Sequence, residues 1–209
     1  VIEVTAILED GSLVPSSSVG NNKTWIEQAD KVILEVNDQQ PLGLMGMHDI
    51  YYGTALPPNR KPIMLTQPDD RIGETTMHCP LDKVVAVVKT SAMDRNSAFT
   101  PPDEVSNRIA EHILEFFEHE IKQGRLPENL LPIQSGVGNT ANAVLEGLNS
   151  SGHKNLTAFT EVIQDGMLKM LKSGALRVAS ATAFSLSPDA LQELKDNIEF
   201  YRDKIILRQ

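Results

Sequence analysis

Short apolar or alternating stretches along the first half of the chain predict β-strands. Four such strands are predicted, over residues 1–7, 31–36, 62–65 and 83–89. Thr24 is placed to cap a short helix from Trp25 to Ala29. Residues 37–61 are rich in glycine and proline, which indicates a long irregular connection.

The clearest boundary in the chain lies at residues 96–102. Thr100 is a predicted N-cap, and residues 101–103 suit the first turn of a helix. Gly124 and Pro127 end this helix. Apolar residues recur within it at helical spacing and predict one apolar face: Val105, Ile109, Ile113, Phe116, Phe117 and Ile121.

Strands and helices alternate from residue 130 onward. Strands are predicted over residues 130–135, 156–160, 176–179 and 204–209. Helices are predicted over residues 140–148, 167–172 and 188–196, and Ser187 caps the last of these. This alternation predicts the α/β class, with a largely parallel sheet flanked by helices. Ligands of such sheets bind beyond the carboxyl ends of the strands.

The charge and composition of the chain limit the kinds of molecule that it is expected to bind. The 209-residue chain has a net charge of −9 and a pI near 5.0, so neither nucleic acid nor a membrane surface is an expected partner. A local basic patch could still bind an anionic ligand. No apolar run reaches the roughly 18 residues that cross a bilayer. Cys79 is the one cysteine, which predicts a reducing, cytoplasmic location.

Both ends of the chain lie in strand-like stretches. The chain opens on alternating residues without Met and closes on residues 204–209 with no following loop. We therefore expect an internal segment of a longer protein, and a processed small protein is the alternative. A mitochondrial location stays open, because a targeting segment would precede Val1.

Residues 132–144, with the sequence PIQSGVGNTANAV, have the pattern of a strand, a glycine turn and a helix. Gly136 and Gly138 permit close backbone approach, and the start of the helix offers free N–H groups. This arrangement favours a phosphate, a carboxylate or a developing oxyanion. It is neither a P-loop, since no Lys-Ser/Thr follows, nor a full dinucleotide fingerprint, since Ala141 replaces the third glycine. A tight turn without a ligand is the alternative.

Glu161 follows the next predicted strand in the segment FTEVIQDGM. If the two strands are neighbours, Glu161 and the glycine loop face one crevice. A carboxylate can attack a thioester carbonyl, and the N–H groups of the loop could stabilise the oxyanion. A solvated glutamate at a strand end is the alternative. Asp165 and Gly166 are predicted to form a turn.

The two segments together resemble the acetyl-CoA hydrolase/transferase family, which includes succinyl-CoA:acetate CoA-transferases. Three further segments fit the same family: VGNNKTWIEQADKVILEVN, YYGTALPPNRKPI and TSAMDRNSAF. The resemblance extends over essentially the whole chain. It implies a CoA-transferase-like fold split over two similar domains, with residues 1–97 ending the first and residues 98–209 beginning the second.

The resemblance also implies a mechanism and a site. Glu161 attacks an acyl-CoA to give a mixed anhydride, and CoA then forms a glutamyl-CoA thioester on the same residue. Arg95 stands where the family offers a cation to a dicarboxylate such as succinate, which suits the bidentate geometry of a guanidinium. A surface ion pair is the alternative for Arg95. The loop that contacts CoA maps onto Ile133, Gln134, Ser135, Gly136, Val137 and Gly138.

Family members are longer and carry a second glycine-rich loop downstream, which helps to hold CoA and the oxyanion. Because that loop is not in these 209 residues, the resemblance implies weak or absent turnover by this chain alone.

Other candidate residues have simpler explanations. His78 and Cys79 are neighbours in the sequence, and we predict that they have a structural role rather than form a thiol site. His112 and His119 are seven residues apart, which is not the spacing of a helical metal pair, so no metal is predicted. Four further residues lie in the irregular segment, and the resemblance implies that they form part of an active-site wall: Met45, Met47, Tyr51 and Tyr52. The local sequence alone supports only packing of their side chains in the core or in a loop.

The leading function is therefore transfer of CoA between an acyl-CoA and a small carboxylate, such as acetate or succinate. CoA is a substrate here, and no tightly bound cofactor is expected. A homodimer is one expected assembly. The alternatives are an acyl-CoA hydrolase with the same glutamate, a non-catalytic CoA-binding module, and a sugar-phosphate isomerase-like enzyme, the last by analogy of fold alone.

Overall fold

A computed structural model describes residues 1–96 and 101–209. Their helices and strands follow one another in the order β1 Ile2–Ile7, β2 Leu13–Pro15, α1 Asn22–Gln28, β3 Val32–Asn37, β4 His48–Asp49, β5 Val84–Thr90, α2 Glu104–Lys122, α3 Asn139–Ser150, β6 Leu156–Phe159, β7 Val162–Gln164, α4 Asp165–Ser173, β8 Leu176–Ala181, β9 Ala183–Ser185, α5 Pro188–Asp196, α6 Ile198–Arg202 and β10 Ile205–Arg208.

The first sheet contains strands from the first half of the chain in the order β2-β1-β3-β5. β1 and β2 form an antiparallel hairpin, and Gly11 takes a positive φ of 85° in its turn. β3 then runs parallel to β1 after the crossover through α1, and β5 runs parallel to β3. Parallel neighbours need such a crossover because a tight turn only joins antiparallel strands.

The second sheet is parallel throughout and has the order β4-β10-β8-β6. A small parallel pair, β7 with β9, continues the chain beyond the ends of β6 and β8. β4 comes from the first half of the chain and pairs with β10 at its end. Residues on both sides of position 97 therefore build the second sheet, and the division into domains at 97/98 stays a prediction.

The helices cover the second sheet in successive layers. α4 packs against β7 and β8, α3 packs on α4, and α2 packs on α3. Gly147 makes the last contact close, because a Cβ atom there would lie 2.4 Å from Leu114 Cδ1. Apolar residues of both sheets and of these helices form one core. No helix in the described ranges has the length and hydropathy to cross a membrane.

The α/β class and the mostly parallel pairing are confirmed, whereas two predicted strands are wrong. Residues 62–65 are irregular, and Ile63 and Met64 are exposed to solvent, so no core holds them. Residues 130–135 form one isolated β-bridge, between Ile133 and Ala158, instead of a strand. Leu130 has a positive φ of 54° and Pro132 lacks an N–H, so the ladder cannot extend.

Three details of the helices also differ from the predictions. α1 begins after Asn21, so Thr24 lies inside it. Asp103 caps α2 by accepting a hydrogen bond from Ser106 N, while Thr100 lies outside the described residues. The predicted apolar face of α2 is wrong in part, because the helix is rotated so that Ser106 and Ala110 are buried. The exposed members of that face are Val105, Ile109 and Phe116.

Candidate functional site

Glu161 lies at the carboxyl end of β6, in the two-residue link between β6 and β7. Its side chain is exposed, so it can meet a ligand without a change in the fold. Its backbone carbonyl accepts a hydrogen bond of 3.0 Å from Thr182 N, in the corresponding link between β8 and β9. Glu161 therefore lies at the strand ends where α/β proteins bind ligands.

The glycine loop, residues 133–138, runs beside β6 and reaches the same strand end. Ile133 N donates to Thr157 O at 2.9 Å, and Phe159 N donates to Ile133 O at 3.0 Å. This pairing holds the start of the loop against β6. The loop and β6 are therefore neighbours, as predicted. They are joined by one isolated β-bridge, because the predicted strand at residues 130–135 does not form.

Two buried polar side chains tie the loop to residues on either side of Glu161. Ser135 N donates to Thr160 Oγ1 at 3.3 Å, and Thr160 Oγ1 lies 3.1 Å from Ser135 O. Gln164 Nε2 donates to Gly136 O at 2.7 Å. The position of the loop relative to Glu161 is therefore fixed from both sides.

The outer part of the loop is open to solvent and leads into α3. Gly136, Val137 and Gly138 are exposed, and Gly138 takes a φ of 135° directly before the helix. In the described part of the chain, no side chain caps the start of α3. Its first N–H groups and the positive end of its dipole are therefore available to an anion.

Arg95 lies between two anchored residues. Asp94 Oδ2 accepts a hydrogen bond of 2.8 Å from Ser17 Oγ, and Asp94 Oδ1 accepts one of 3.0 Å from Gln40 Nε2. Asn96 Nδ2 donates to Leu186 O at 3.2 Å. Among the described residues, the exposed Arg95 guanidinium has no hydrogen-bond or ion-pair partner. Its charge is therefore available to an anionic ligand.

Residues 17–20, which we call the bridging strip, connect the Arg95 segment with the Glu161 segment. The strip pairs antiparallel with the start of β9 through a bridge from Ser18 to Ala183. Phe184 N donates to Ser17 O at 3.0 Å. Val19 N donates to Thr182 O at 2.8 Å, and Gly20 N donates to Thr182 Oγ1 at 2.9 Å. The three predicted parts of the site thus belong to one hydrogen-bonded region.

A buried ion pair supports the strand ends nearby. Arg208 Nη1 lies 3.0 Å from Asp49 Oδ2, and both side chains are almost fully buried. Arg208 also donates to the carbonyls of Pro68 and Asp70, and it lies over the Phe159 ring at 5.7 Å. Burial lowers the pKa of Arg208 despite Asp49. The pair holds the loop around residue 70 against β4 and β10.

Histidine 48 neighbours this pair and is fully buried. Its Nε2 lies 3.0 Å from Ser16 O, which can only accept, so Nε2 carries the proton. Burial, with a smaller contribution from the charge of Arg71, lowers the pKa of His48 to about 4. His48 is therefore neutral at pH 7 and has a structural place in the fold.

A cleft of about 610 Å³ lies between α4 and α5, and Glu161 is not among the residues that line it. Asp165 and Tyr201 line it, together with an ion pair of 2.7 Å between Lys172 and Glu193. Burial, together with the charge of Glu193, raises the pKa of Tyr201 to about 12. Asp165 Oδ1 accepts a hydrogen bond from Ser187 N. The turn predicted at Asp165 and Gly166 is wrong, because both residues lie in the first turn of α4.

The remaining sequence candidates occupy several different parts of the fold. Burial raises the pKa of the Cys79 thiol, which disfavours a reactive thiolate. His78 pairs with Glu74 at 2.6 Å, and His112 pairs with Glu115 on exposed helix α2. Among the described residues, no three His, Cys, Asp or Glu side chains form a metal-binding group. Met45 is exposed, Met47 is buried, and Tyr51 and Tyr52 are half-buried.

Sequence reasoning missed the residues that hold the site together. Ser17, Gln164 and Thr182 contact partners far along the chain, and no local pattern marks such contacts. The segment VGNNKTW carries part of the family resemblance and includes Thr24, the predicted helix cap. Its first two residues are the end of the bridging strip.

Comparison with known proteins agrees with the sequence motifs. Residues 1–56 match the acetyl-CoA hydrolase/transferase N-terminal domain. The chain is 48% identical over 208 residues to a succinyl-CoA:acetate CoA-transferase of Clostridium kluyveri, covering 100% of this chain and 38% of that protein. It is 47% identical over 207 residues to an acetyl-CoA hydrolase of Neurospora crassa, covering 99% of this chain and 39% of that protein. The chain thus spans about two fifths of the length of these relatives.

Solved structures share the fold. A 4-hydroxybutyrate CoA-transferase from Porphyromonas gingivalis superposes with a TM-score of 0.63 at 18% identity, covering 99% of this chain and 43% of that chain. RipA from Yersinia pestis superposes with a TM-score of 0.59 at 18% identity, covering 99% of this chain and 39% of that chain. At this level of identity the likeness concerns the fold alone.

Proposed function

We propose that this chain, which is similar to members of the acetyl-CoA hydrolase/transferase family, carries the acyl-CoA site of a CoA-transferase, with Glu161 as the nucleophile. One observation supports this above all. Thr160 and Gln164, on either side of Glu161, each hold the glycine loop by a hydrogen bond. A nucleophilic carboxylate and a set of backbone donors are thereby kept side by side, as covalent catalysis at a carbonyl requires.

The reaction begins with attack of a Glu161 carboxylate oxygen on the thioester carbonyl of an acyl-CoA. The C–S bond breaks, CoA leaves as a thiolate, and a mixed anhydride forms on Glu161. The thiolate then attacks the glutamyl carbonyl of this anhydride, releases the acyl group as a free carboxylate and leaves a glutamyl-CoA thioester. An acceptor carboxylate reverses these two steps, so no proton or external oxidant enters the balance.

The glycine loop has two roles in this proposal. Its exposed residues Gly136 to Gly138 admit CoA close to the backbone, as do Ile133, Gln134 and Ser135 at its start. The uncapped start of α3 supplies N–H groups where negative charge develops on the attacked oxygen. Removing one such donor from an enzyme costs about 10²–10³ in kcat.

Arg95 is proposed to bind the acceptor. Its guanidinium is exposed and, among the described residues, unpartnered, while its neighbours Asp94 and Asn96 are anchored. A bidentate contact to a carboxylate suits this group. We therefore propose small carboxylates such as acetate and succinate as ligands, with CoA as a substrate rather than a bound cofactor.

Hydrolysis of acyl-CoA is the second candidate, and two observations favour it. Several relatives at 43–48% identity are named acetyl-CoA hydrolases, including those of Neurospora crassa and Candida albicans. Glu161 is exposed, so water can reach its thioester. Water exclusion by a closed site would then separate the two reactions.

The division into two similar domains, a homodimeric assembly and a cytoplasmic location are proposed with the same function. The relatives extend well beyond the aligned part, and we propose that full turnover needs a second glycine-rich loop that helps to hold CoA. Cys79 is free, in keeping with a reducing location.

A covalent adduct tests the proposal directly. This chain, and a chimera in which it replaces the aligned segment of the Clostridium kluyveri enzyme, are incubated with acetyl-CoA and analysed by mass spectrometry. We expect CoA on Glu161 in the chimera and little or none in the chain alone. Glu161→Gln should abolish the adduct, while Glu9→Gln, at an exposed turn, should keep it.

An adduct that survives in Glu161→Gln would show that another residue is the nucleophile. Dependence of thioester loss on added acetate distinguishes transfer from hydrolysis, because hydrolysis proceeds equally without it. CoA binding without any reaction would support a non-catalytic CoA-binding module.

A further inference from the structure

Residues 55–65, which we call the arc, form an irregular surface segment whose flanking residues are fixed. Ile50 and Glu74 lie on either side of it and exchange two backbone hydrogen bonds, of 2.7 and 2.8 Å, so the chain leaves and returns at one place. Among the described residues, the arc itself makes one hydrogen bond, from Asn59 N to Leu56 O at 3.0 Å. Surface loops whose ends lie close together are frequently functional.

The first end of the arc is fixed by a residue that follows the bridging strip. The buried Lys23 side chain donates to Thr54 Oγ1 at 2.7 Å, directly before the arc. Lys23 lies on α1, which begins two residues after the strip ends. The strip bonds to Thr182, and Thr182 N donates to Glu161 O at 3.0 Å. A short series of contacts therefore joins this end of the arc to Glu161.

The second end of the arc is fixed near the end of β6. Arg208 donates to Pro68 O at 3.1 Å, three residues after the arc, and its guanidinium lies 5.7 Å from the centre of the Phe159 ring. Phe159 ends β6, two residues before Glu161. Both ends of the arc are thus held at the carboxyl ends of the strands, where α/β proteins bind ligands.

The side chains of the arc are available for further contacts. Leu56, Ile63 and Met64 are 79%, 54% and 72% exposed. Arg60 and Lys61 have no ion-pair partner within the described ranges, although the chain has a net charge of −9. Apolar side chains gain stability when a ligand removes them from water, and cations attract phosphates. A ligand that combines apolar groups with phosphates therefore matches both kinds of side chain.

We propose that the arc is a flap that closes over acyl-CoA bound at the glycine loop and keeps water from the thioester on Glu161. This rests on the proposed function for the identity of the ligand and of the nucleophile. CoA has a long arm with methyl and methylene groups and also carries phosphates, so the closed arc gains contacts only when CoA is bound.

Closure of the flap would favour transfer over hydrolysis. In hydrolysis, water adds to the glutamyl carbonyl, the C–S bond breaks, and free CoA and the Glu161 carboxylate are released. A closed flap excludes bulk water while the thioester waits for the acceptor carboxylate. The exposure of Glu161 in the chain without a ligand corresponds to the open form.

Cleavage by trypsin after Arg60 reports on the flap directly, because this bond lies in the middle of the arc. The chimera is digested with and without CoA, and mass spectrometry follows the peptides. We expect CoA to slow cleavage after Arg60 by about tenfold, because trypsin then cuts only a minor open form. Cleavage after Lys154, an exposed residue before β6, should be unchanged.

The products of the reaction give a second measure of closure. Leu56→Ser and Leu81→Ser change leucines that are equally exposed, at 79% each, but Leu81 lies outside the arc, before β5. We expect Leu56→Ser to raise the ratio of hydrolysis to transfer of acetyl-CoA by about tenfold, because the burial of one leucine on closure is lost. Leu81→Ser should leave this ratio unchanged.

Three results would overturn the flap. They are equal product ratios in Leu56→Ser and Leu81→Ser, no protection of Arg60 by CoA, and resistance of Arg60 to trypsin in the chimera without CoA. The last result would mean that another part of the protein already covers the arc. The adduct on Glu161 is a separate readout. If CoA protects Arg60 but the adduct is missing, the flap stands and the proposed chemistry fails, whereas an adduct without protection leaves the chemistry and refutes the flap.

Discussion

Thr160 and Ser135 face each other through two contacts, one from Ser135 N to Thr160 Oγ1 at 3.3 Å and one from Thr160 Oγ1 to Ser135 O at 3.1 Å. Thr160 directly precedes Glu161 and is buried. One hydroxyl thus sets the distance between the glycine loop and the strand end that carries the carboxylate.

Replacement of this hydroxyl should affect the rate of adduct formation more than the stability of the fold. We expect Thr160→Val to slow adduct formation on Glu161 in the chimera by about tenfold, because one buried hydrogen bond of roughly 1 kcal/mol no longer aligns the loop. Thr160→Ser, which keeps the hydroxyl, should stay within about twofold of the unchanged protein. Equal rates for all three would show that the loop does not need this contact.

Two glycines of the loop offer a matched test of backbone geometry. A Cβ atom at either Gly136 or Gly138 would meet no atom within 4 Å, but only Gly138 has a positive φ, of 135°. Gly138→Ala should lower the free energy of unfolding by about 1–3 kcal/mol through backbone strain, or shift the loop and slow formation of the adduct on Glu161. Gly136→Ala should change both quantities very little. Urea unfolding and adduct rates measure both effects, and similar results for the two variants would refute this assignment.

The buried pair of Arg208 and Asp49 should be far more sensitive to substitution than an exposed pair. Arg208→Met leaves Asp49 buried without its cation, and we expect a loss of about 3–5 kcal/mol in the free energy of unfolding. Arg177→Met breaks the pair with Asp69 at the surface and should cost at most about 1 kcal/mol. Chemical denaturation gives both values, and comparable losses would mean that Asp49 is compensated by other groups.

The lowered pKa of His48 predicts an acid-dependent loss of stability. The unfolded chain takes up a proton near pH 6.5, while the folded protein resists protonation of His48 down to about pH 4. This contribution to stability is complete above about pH 6.5 and falls as the pH approaches 4, by a total on the order of 3 kcal/mol. His48→Gln should remove it.

The measurement is the difference in unfolding free energy between His48→Gln and the unchanged chain from pH 7 to pH 4. Only this difference isolates His48, because carboxylates titrate over the same range in both proteins. A constant difference would show that His48 has the same proton affinity in the folded and unfolded states.

Sequence reasoning located the ends of the strands but not the contacts between them. Glu161 at the end of β6 and the glycine loop beside it follow from local patterns of apolar residues and glycine. The interactions of Ser17 with Asp94 and of Gly20 with Thr182 join residues far apart in the chain, and only the three-dimensional fold brings them together. The predicted strand at residues 130–135 was wrong because the positive φ of Leu130 cannot be read from a leucine.

The pairing of β4 with β10 also has a consequence for synthesis on the ribosome. His48 and Asp49 are translated long before the strand that pairs with them and the arginine that balances Asp49. Until then β4 has no neighbour in its sheet, and its backbone groups remain open to pairing with other chains. Such late, non-local closure favours slow folding and makes nascent chains a target for chaperones.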